Sequence, residues 1–481
     1  MRFLNRKRRR TIAVVWLIVV ALLLFAFFII TEIQKSIDSK KPNVILISID
    51  ALRADHLGCY GYPKPTSPNI DAFAAKNILF ENAYTTEPWT LPTHLSMLTS
   101  LFTETHNVRK PDAVLSKHWQ TLPEILKQKG YVTGGFATNP YWMNGRYGFA
   151  RGFDHYFAQE KRGSGLNQNI VNFVKKNSQK PLFLFIHYFD VHSAPDSLDF
   201  LPYYAPELFR RLFRPRRPMT FTGGNGILWA SSYLAHCEGN GIKLTSEQKE
   251  ELNALYDASV RFADNNLADL FNALEKEGIF KNALIILTAD HGEELQDHGH
   301  YMHFQIYEEV FHIPLIIKIP QEPDKPYLRF KSPQKITGLV TLVDLMPTVL
   351  DYLQIPYPPN QIQGQSLLPL IEGKDSAHDY VCALETEQDQ TRLAIRHGPW
   401  KLLCMAEGDP RYELYNLRDD PLESRNLSKE RPEIVAQLRN ALREWRDRNH
   451  KARISSKEQE ESKGLSPEDK KKLRSLGYIT E

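Results

Sequence analysis

The sequence predicts an α/β fold with a large sheet covered on both faces and a smaller antiparallel unit after it. Three observations predict this. Continuous apolar runs recur at residues 43–50 (NVILISID), 181–192 (PLFLFIHYFDVH) and 282–294 (NALIILTADHGEE), and each closes on acids or histidines. Amphipathic stretches lie between them, among them QTLPEILKQKGY at 120–131 and LYDASVRFADNNLADLFNALEKEG at 255–278. From about residue 380 the chain turns to short strand-like segments. Runs without polar alternation suit strands buried on both faces of a parallel sheet, and strands alternating with helices define the α/β class.

Taken in chain order, residues 1–10 (MRFLNRKRRR) carry six Lys or Arg and no acid, and residues 11–30 carry no charge. About 20 apolar residues span a bilayer, a signal-peptide core is shorter, and no small-residue cleavage motif follows here. Residues 11–31 therefore read as a transmembrane signal anchor rather than a cleaved signal peptide. Six basic residues before the span, against three in residues 32–41, put the N-terminus in the cytoplasm and the rest of the chain in the periplasm or outside the cell. After the cytoplasmic basic segment (1–10) and the anchor come a linker (32–41), a large domain (42–380), a C-terminal subdomain (381–450) and a charged tail (451–481). In the subdomain, RLAIRHGPWKLLC (392–404) and RYELYNL (411–417) predict antiparallel strands, and RPEIVAQLRNALREWRDRN (431–449) predicts a helix with an apolar stripe. Residues 193–245, rich in Pro, Gly, Arg and aromatics, predict an irregular insertion beside the site.

Composition narrows the function. The chain has 481 residues, 42% hydrophobic and 24% charged, as an ordinary globular protein does. A net charge of +3 without a basic stripe gives no argument for nucleic acid. The four cysteines (Cys59, Cys237, Cys382, Cys404) form no C-x-x-C pair. Cys382 and Cys404 could bridge across the C-terminal sheet, but free buried thiols are the simpler reading.

Ligands in α/β sheets bind beyond the carboxyl ends of strands, which brings Asp50, Asp290 and His291 into one constellation. Two carboxylates and an imidazole suit a divalent ion such as Zn²⁺ or Mn²⁺. The stretch PWTLPTHLSMLTS (88–100) starts a helix at a lone hydroxyl, Thr90, with His94 one turn later. Thr90 reads both as an N-cap and as a nucleophile, since a metal lowers a hydroxyl's pKa and a helix N-terminus favours the alkoxide and a tetrahedral oxyanion. His192, in FDVHSAP, and His303, in YMHF, are placed to hold substrate oxygens or protonate a leaving group. His298 and His300 are weaker candidates, and for all four a packing role is the alternative.

With these motifs in hand, the chain resembles a sulfatase-type member of the alkaline-phosphatase superfamily from about residue 42 onward. NVILISIDALRADHLGCYGY resembles the family's first metal-binding strand, LTADHGEEL the second, and TLPTHLSMLTS the Cys/Ser-x-Pro-Ser-Arg signature. ELYNLRDDPLESRNL and LRSLGYI are also typical. The resemblance implies a large mixed sheet sandwiched by helices with a small C-terminal antiparallel subdomain. The departures concern the chemistry. Thr90 replaces the residue oxidised to formylglycine, and its β-methyl forbids an aldehyde. His94 stands for the signature's Arg, Ala51 for its second acid, and Ala137, Thr138, Asn139 and Pro140 for a sulfate-holding Gly-Lys-Trp-His. A Thr nucleophile with one acid from the first strand and an Asp-His pair from the second is similar to phosphoethanolamine and phosphoglycerol transferases.

The expectation is therefore a membrane-anchored metalloenzyme. It hydrolyses sulfate or phosphate esters with Thr90, His303, His192 and His94 as catalytic residues. One divalent metal ion (Zn, Mn or Ca) sits on Asp50, Thr90, Asp290 and His291. Its partners are the ester substrate, of lipid or glycan type, and the membrane through residues 11–31, with no nucleic acid. A transferase acting on lipid or glycan hydroxyls is the alternative, and a pseudoenzyme that only binds is the second.

Overall fold

The structure, a computed structural model, describes Trp16 and residues 41–110, 113–159, 163–193, 202–213, 230–320, 332–357, 359–374, 378–387, 390–405 and 411–453. The anchor expected at 11–31, Trp16 apart, lies outside the described residues, as do residues 1–10, most of the linker and the tail beyond 453. Among the described residues no helix is long and apolar enough to cross a membrane.

The main sheet of the described residues has nine strands. They are β1 (Asn43–Ile49), β2 (Ile78–Tyr84), β3 (Val132–Ala137), β4 (His155–Ala158), β5 (Leu182–Tyr188) and β6 (Ala283–Thr288), then, after a small hairpin of β7 (Glu294–Leu295) and β8 (Tyr301–Met302), β9 (His312–Lys318), β10 (Gln334–Ile336) and β11 (Val340–Thr341). Their order is β10-β2-β9-β6-β1-β5-β3-β4, with β11 beside β2. The three apolar runs are the three central neighbours: β1 lies between β5 and β6, parallel to both, with Ser48 opposite His187 and Thr288. Every residue of these strands is buried, which is what an unbroken apolar run requires. The sheet is mixed rather than parallel throughout, because β9 runs antiparallel to β6 and β2. Burial on both faces writes the apolar run, and strand direction leaves no mark on it.

Helices cover the sheet. The longest, Ser246–Lys276, starts well before the predicted 255 because Thr245 and Gln248 form a reciprocal capping box. Within the segment expected to be irregular, the described part carries two helices, Glu207–Phe213 and Ala230–Asn240. Beyond the main sheet, β12 (Tyr380–Glu387), β13 (Gln390–His397), β14 (Trp400–Cys404) and β15 (Tyr412–Asn416) form an antiparallel sheet in that order. The Pro432–Ala452 helix buries Leu438, Leu442 and Trp445 against it. Cys382 and Cys404 lie on β12 and β14, on opposite sides of β13, about 10 Å apart by strand spacing. That exceeds disulfide reach, and none of the four cysteines is in a disulfide. The Leu384 N–H of β12 donates to Thr86 O at 3.1 Å, tying this sheet to the loop that leads to Thr90.

Candidate active site

Asp50 is the first residue beyond β1, and its N–H still bonds Tyr188 O of β5 at 2.8 Å. The chain then turns sharply: Ala51 holds a left-handed φ of 58°, a strained conformation for a residue with a Cβ. That turn aims the Ala51 N–H at Asp290 Oδ1, 3.2 Å away, and the His291 N–H reaches the same oxygen at 2.9 Å. Asp290 Oδ2 is left over. Asp50 Oδ2 accepts from the Thr90 hydroxyl at 3.3 Å and from His187 Nε2 at 3.2 Å, which leaves Asp50 Oδ1. His291 donates its Nδ1–H to Gly292 O at 2.8 Å, so its Nε2 lone pair points inward, 3.6 Å from Asp50 Oδ1 and 3.5 Å from Asp290 Oδ2.

Those three leftover atoms, all fully buried, have no hydrogen-bond partner and lie within 4.8 Å of one another. Orphaned buried polar atoms cost free energy and demand an explanation. Burial lifts both carboxyls above the usual carboxylate range, and for Asp290 the neighbouring Asp50 adds to it. Burial opposes a charge on His291, yet the two carboxylates outweigh it and raise its pKa. A divalent cation would satisfy all three atoms and offset the paired charge, so the donor set fits Zn²⁺ or Mn²⁺. The turn of His291 is secured by its own carbonyl neighbour, the usual way a ligating imidazole is oriented.

Thr90 opens a fully buried ten-residue helix, Thr90–Thr99. It does not cap that helix. Trp89 occupies the cap position in extended conformation, no side chain caps, and the Thr90 hydroxyl turns instead to Asp50. Thr93 secures the helix start by donating to Glu87 O. His94 bonds Thr90 O through Nδ1 at 2.7 Å and Ser48 Oγ through Nε2 at 2.9 Å, and lies 3.7 Å from Asp290 Oδ2. Burial lowers its pKa to about 3, so it is a neutral brace between β1 and the helix.

A second wall consists of histidines. The His303 ring stacks 4.4 Å from His291, and His192 lies 5.0 Å from His303. His192 bonds Ser193 O through Nδ1 at 2.8 Å, and burial lowers its pKa to about 4. His303 Nδ1 is 3.4 Å from Glu293 Oε2, whose other oxygen accepts from the Tyr203 hydroxyl at 2.9 Å. His298 and His300 do not join this wall; they bond Glu309 and Glu238. At the altered sulfate-holding positions, Thr138 bonds His187 O and Asn139 Oδ1 accepts from the Tyr141 and Trp142 N–H groups, so both serve the local turn.

His187 and Glu293 also lie at this cluster, though no sequence motif assigns them a role. His187 interrupts LFLFIHY, a strand buried on both faces, and a buried imidazole needs a polar partner. That interruption was the available signal. Glu293 stands beside Asp290 and His291 in DHGEE, where nothing separates it from a solvated strand end.

A mixed sheet with a carboxylate–histidine cluster at its carboxyl edge, followed by an antiparallel C-terminal sheet, is the alkaline-phosphatase-like α/β architecture. A family model described as Sulfatase matches residues 42–355, and one described as N-sulphoglucosamine sulphohydrolase, C-terminal, matches residues 296–448. The chain belongs to the sulfatase family and is a hydrolase of that class. Arylsulfatase K of Rattus norvegicus is 24% identical over 473 residues, covering 89% of this chain and 82% of the rat protein. A protein solved in complex with its substrate D-glucosamine-2-N,6-O-disulfate superposes with a TM-score of 0.65 at 21% identity, over 85% of this chain and 98% of that one. The phosphonate monoester hydrolase of Agrobacterium radiobacter gives 0.66 at 19% identity, over 84% and 96%.

Proposed function

We propose that the protein hydrolyses sulfate or phosphate esters through a covalent ester on Thr90, beside one divalent metal ion held by Asp50, Asp290 and His291. The observation that carries this reading is the buried Thr90 hydroxyl, 3.3 Å from Asp50 Oδ2 and next to three orphaned ligand atoms. When bound, the ion supplies positive charge that favours the Thr90 alkoxide and the charge developing on the ester. Thr90 gives its proton to Asp50 Oδ2, and its Oγ1 bonds to sulfur or phosphorus as the bond to the leaving oxygen breaks. His192 or His303 protonates that oxygen. Both are neutral before substrate arrives, and an anionic ester beside them favours the imidazolium form. Water then attacks the Thr90 ester, releases sulfate or phosphate, and Thr90 regains its proton.

Family membership favours sulfate. Thr90 favours phosphate, because a threonine ester has no aldehyde-derived hydroxyl to expel sulfate and needs a second attack at the central atom. A second reading rests on the pairing of Thr90 with one acid after β1 and the Asp290–His291 pair after β6: where a lipid or glycan hydroxyl replaces water, the same intermediate makes the protein a transferase. The anchor at 11–31, with the catalytic domain outside the cytoplasm, belongs to this proposal.

Intact mass of the full-length protein tests it, after incubation with Mn²⁺ or Zn²⁺ and either nitrophenyl sulfate or nitrophenyl phosphate. A mass gain mapped to Thr90 and lost in Thr90→Ala is expected, and the donor that produces it names the group transferred. Bound metal without adduct or turnover on any ester, and equally no metal at all, would make the protein a binding pseudoenzyme.

A further inference from the structure

A second group of donors lies outside this site, where β7, the turn after it and the short helix before β9 meet. Glu294, His298 and Glu309 each offer a ligand atom, and the three atoms lie within 4.8 Å of one another. Glu294 is fully buried, and neither of its carboxylate oxygens has a hydrogen-bond partner. Arg53, the base that acts on Glu294, is engaged elsewhere: it grips Asp55 at 2.7 Å and Asp297 at 2.6 Å. Burial, and then the Glu309 carboxylate, push the Glu294 carboxyl well above its ordinary range. Two buried carboxylates thus face one imidazole.

His298 is oriented to complete the group. Its Nε2–H donates to Leu422 O at 3.2 Å and its Nδ1 faces Glu309 Oε1 at 2.5 Å; burial opposes a charge on the ring, yet the Glu309 carboxylate outweighs it and raises the His298 pKa. A carboxylate oxygen and an imidazole nitrogen at that distance hold a proton or a cation between them. A backbone carbonyl that fixes the outer imidazole nitrogen is the arrangement of metal-ligating histidines. We infer that Glu294, His298 and Glu309 form a second, structural cation site, suited to Zn²⁺ with water as its fourth ligand. Tetrahedral ligands on bonds of about 2.0 Å stand about 3.3 Å apart, so the His298–Glu309 contact opens by less than an ångström on loading. The ion would tie the β7–β8 hairpin, which leads from Glu293 to His303, to the short helix Glu308–Phe311 before β9.

Zinc content of the full-length protein, measured by plasma mass spectrometry after loading and desalting, decides the matter. The wild type is expected to keep a second zinc ion per chain beyond the one at Asp290. Glu294→Gln, close in shape, should lose one ion and keep the other; Asp290→Asn should do the same at the first site. A single ion removed by Asp290→Asn but kept by Glu294→Gln overturns the second site, and a proton then bridges His298 and Glu309. A single ion with the reverse dependence upholds the second site and overturns the first, and zinc-free wild type overturns both. Should Glu294→Gln not fold, release of zinc from the wild type to a chromogenic chelator decides: two phases uphold the proposal and one overturns it.

Discussion

Thr90 owes its setting to residues outside its own helix. Asp50 Oδ2 is shared between the Thr90 hydroxyl and His187 Nε2, so His187 fixes which carboxylate oxygen remains for a cation. Burial lowers the His187 pKa to about 4, which keeps it a neutral donor. Replacing it by Phe should weaken metal affinity about 10- to 100-fold, as loss of a ligand's hydrogen-bond partner commonly does. His187→Asn should recover part of that. A metal titration followed by isothermal calorimetry checks this, and unchanged affinity in His187→Phe would show that His187 only packs. Asp50, Asp290 and His291 were legible because acids at the ends of buried strands are conspicuous. The orientation of Thr90 was not. Cap and nucleophile share one sequence pattern, and only the backbone of Trp89 decides which way the hydroxyl turns.

At the scale of elements, the segment after β6 shows how backbone fit places a ligand. Gly292 bonds Val310 O at 2.9 Å, and a Cβ there would meet Glu309 O at 1.8 Å. The obstacle is backbone, which cannot swing aside. Gly292→Ala should cost about 2–3 kcal/mol or more by overpacking and should displace His291, so both the melting temperature and metal retention fall together. A stable variant with normal metal content would show that the loop can yield. The apolar runs located β1, β5 and β6 well because burial on both faces leaves few other solutions. Helix starts were less legible: the Ser246–Lys276 helix begins at a polar capping box that carries no apolar period. The direction of β9 was invisible because its buried middle, residues 313–317, reads like the buried parallel strands although it runs antiparallel to both neighbours.

For the whole molecule, the proposed anchor sets a further expectation. In cells, the protein should stay with membranes through alkaline carbonate washing, and protease added outside the cytoplasmic membrane should digest the domain from residue 42 onward. Release by carbonate, or full protection from external protease, would refute the anchored, outward-facing topology. The two sheets of the molecule also differ in what they demand of the chain. The main sheet assembles from residues spread between Asn43 and Thr341. Leu384, however, belongs to the C-terminal sheet and holds Thr86, four residues before Thr90. During synthesis Thr86 leaves the ribosome long before Leu384 does. Every stage of translation after Thr90 and before Leu384 therefore yields a chain that contains Asp50 and Thr90 but lacks the strand that holds the loop leading to Thr90. A chain terminated in that interval would carry Asp50 and Thr90 without the bond that ties Thr86 to the C-terminal sheet.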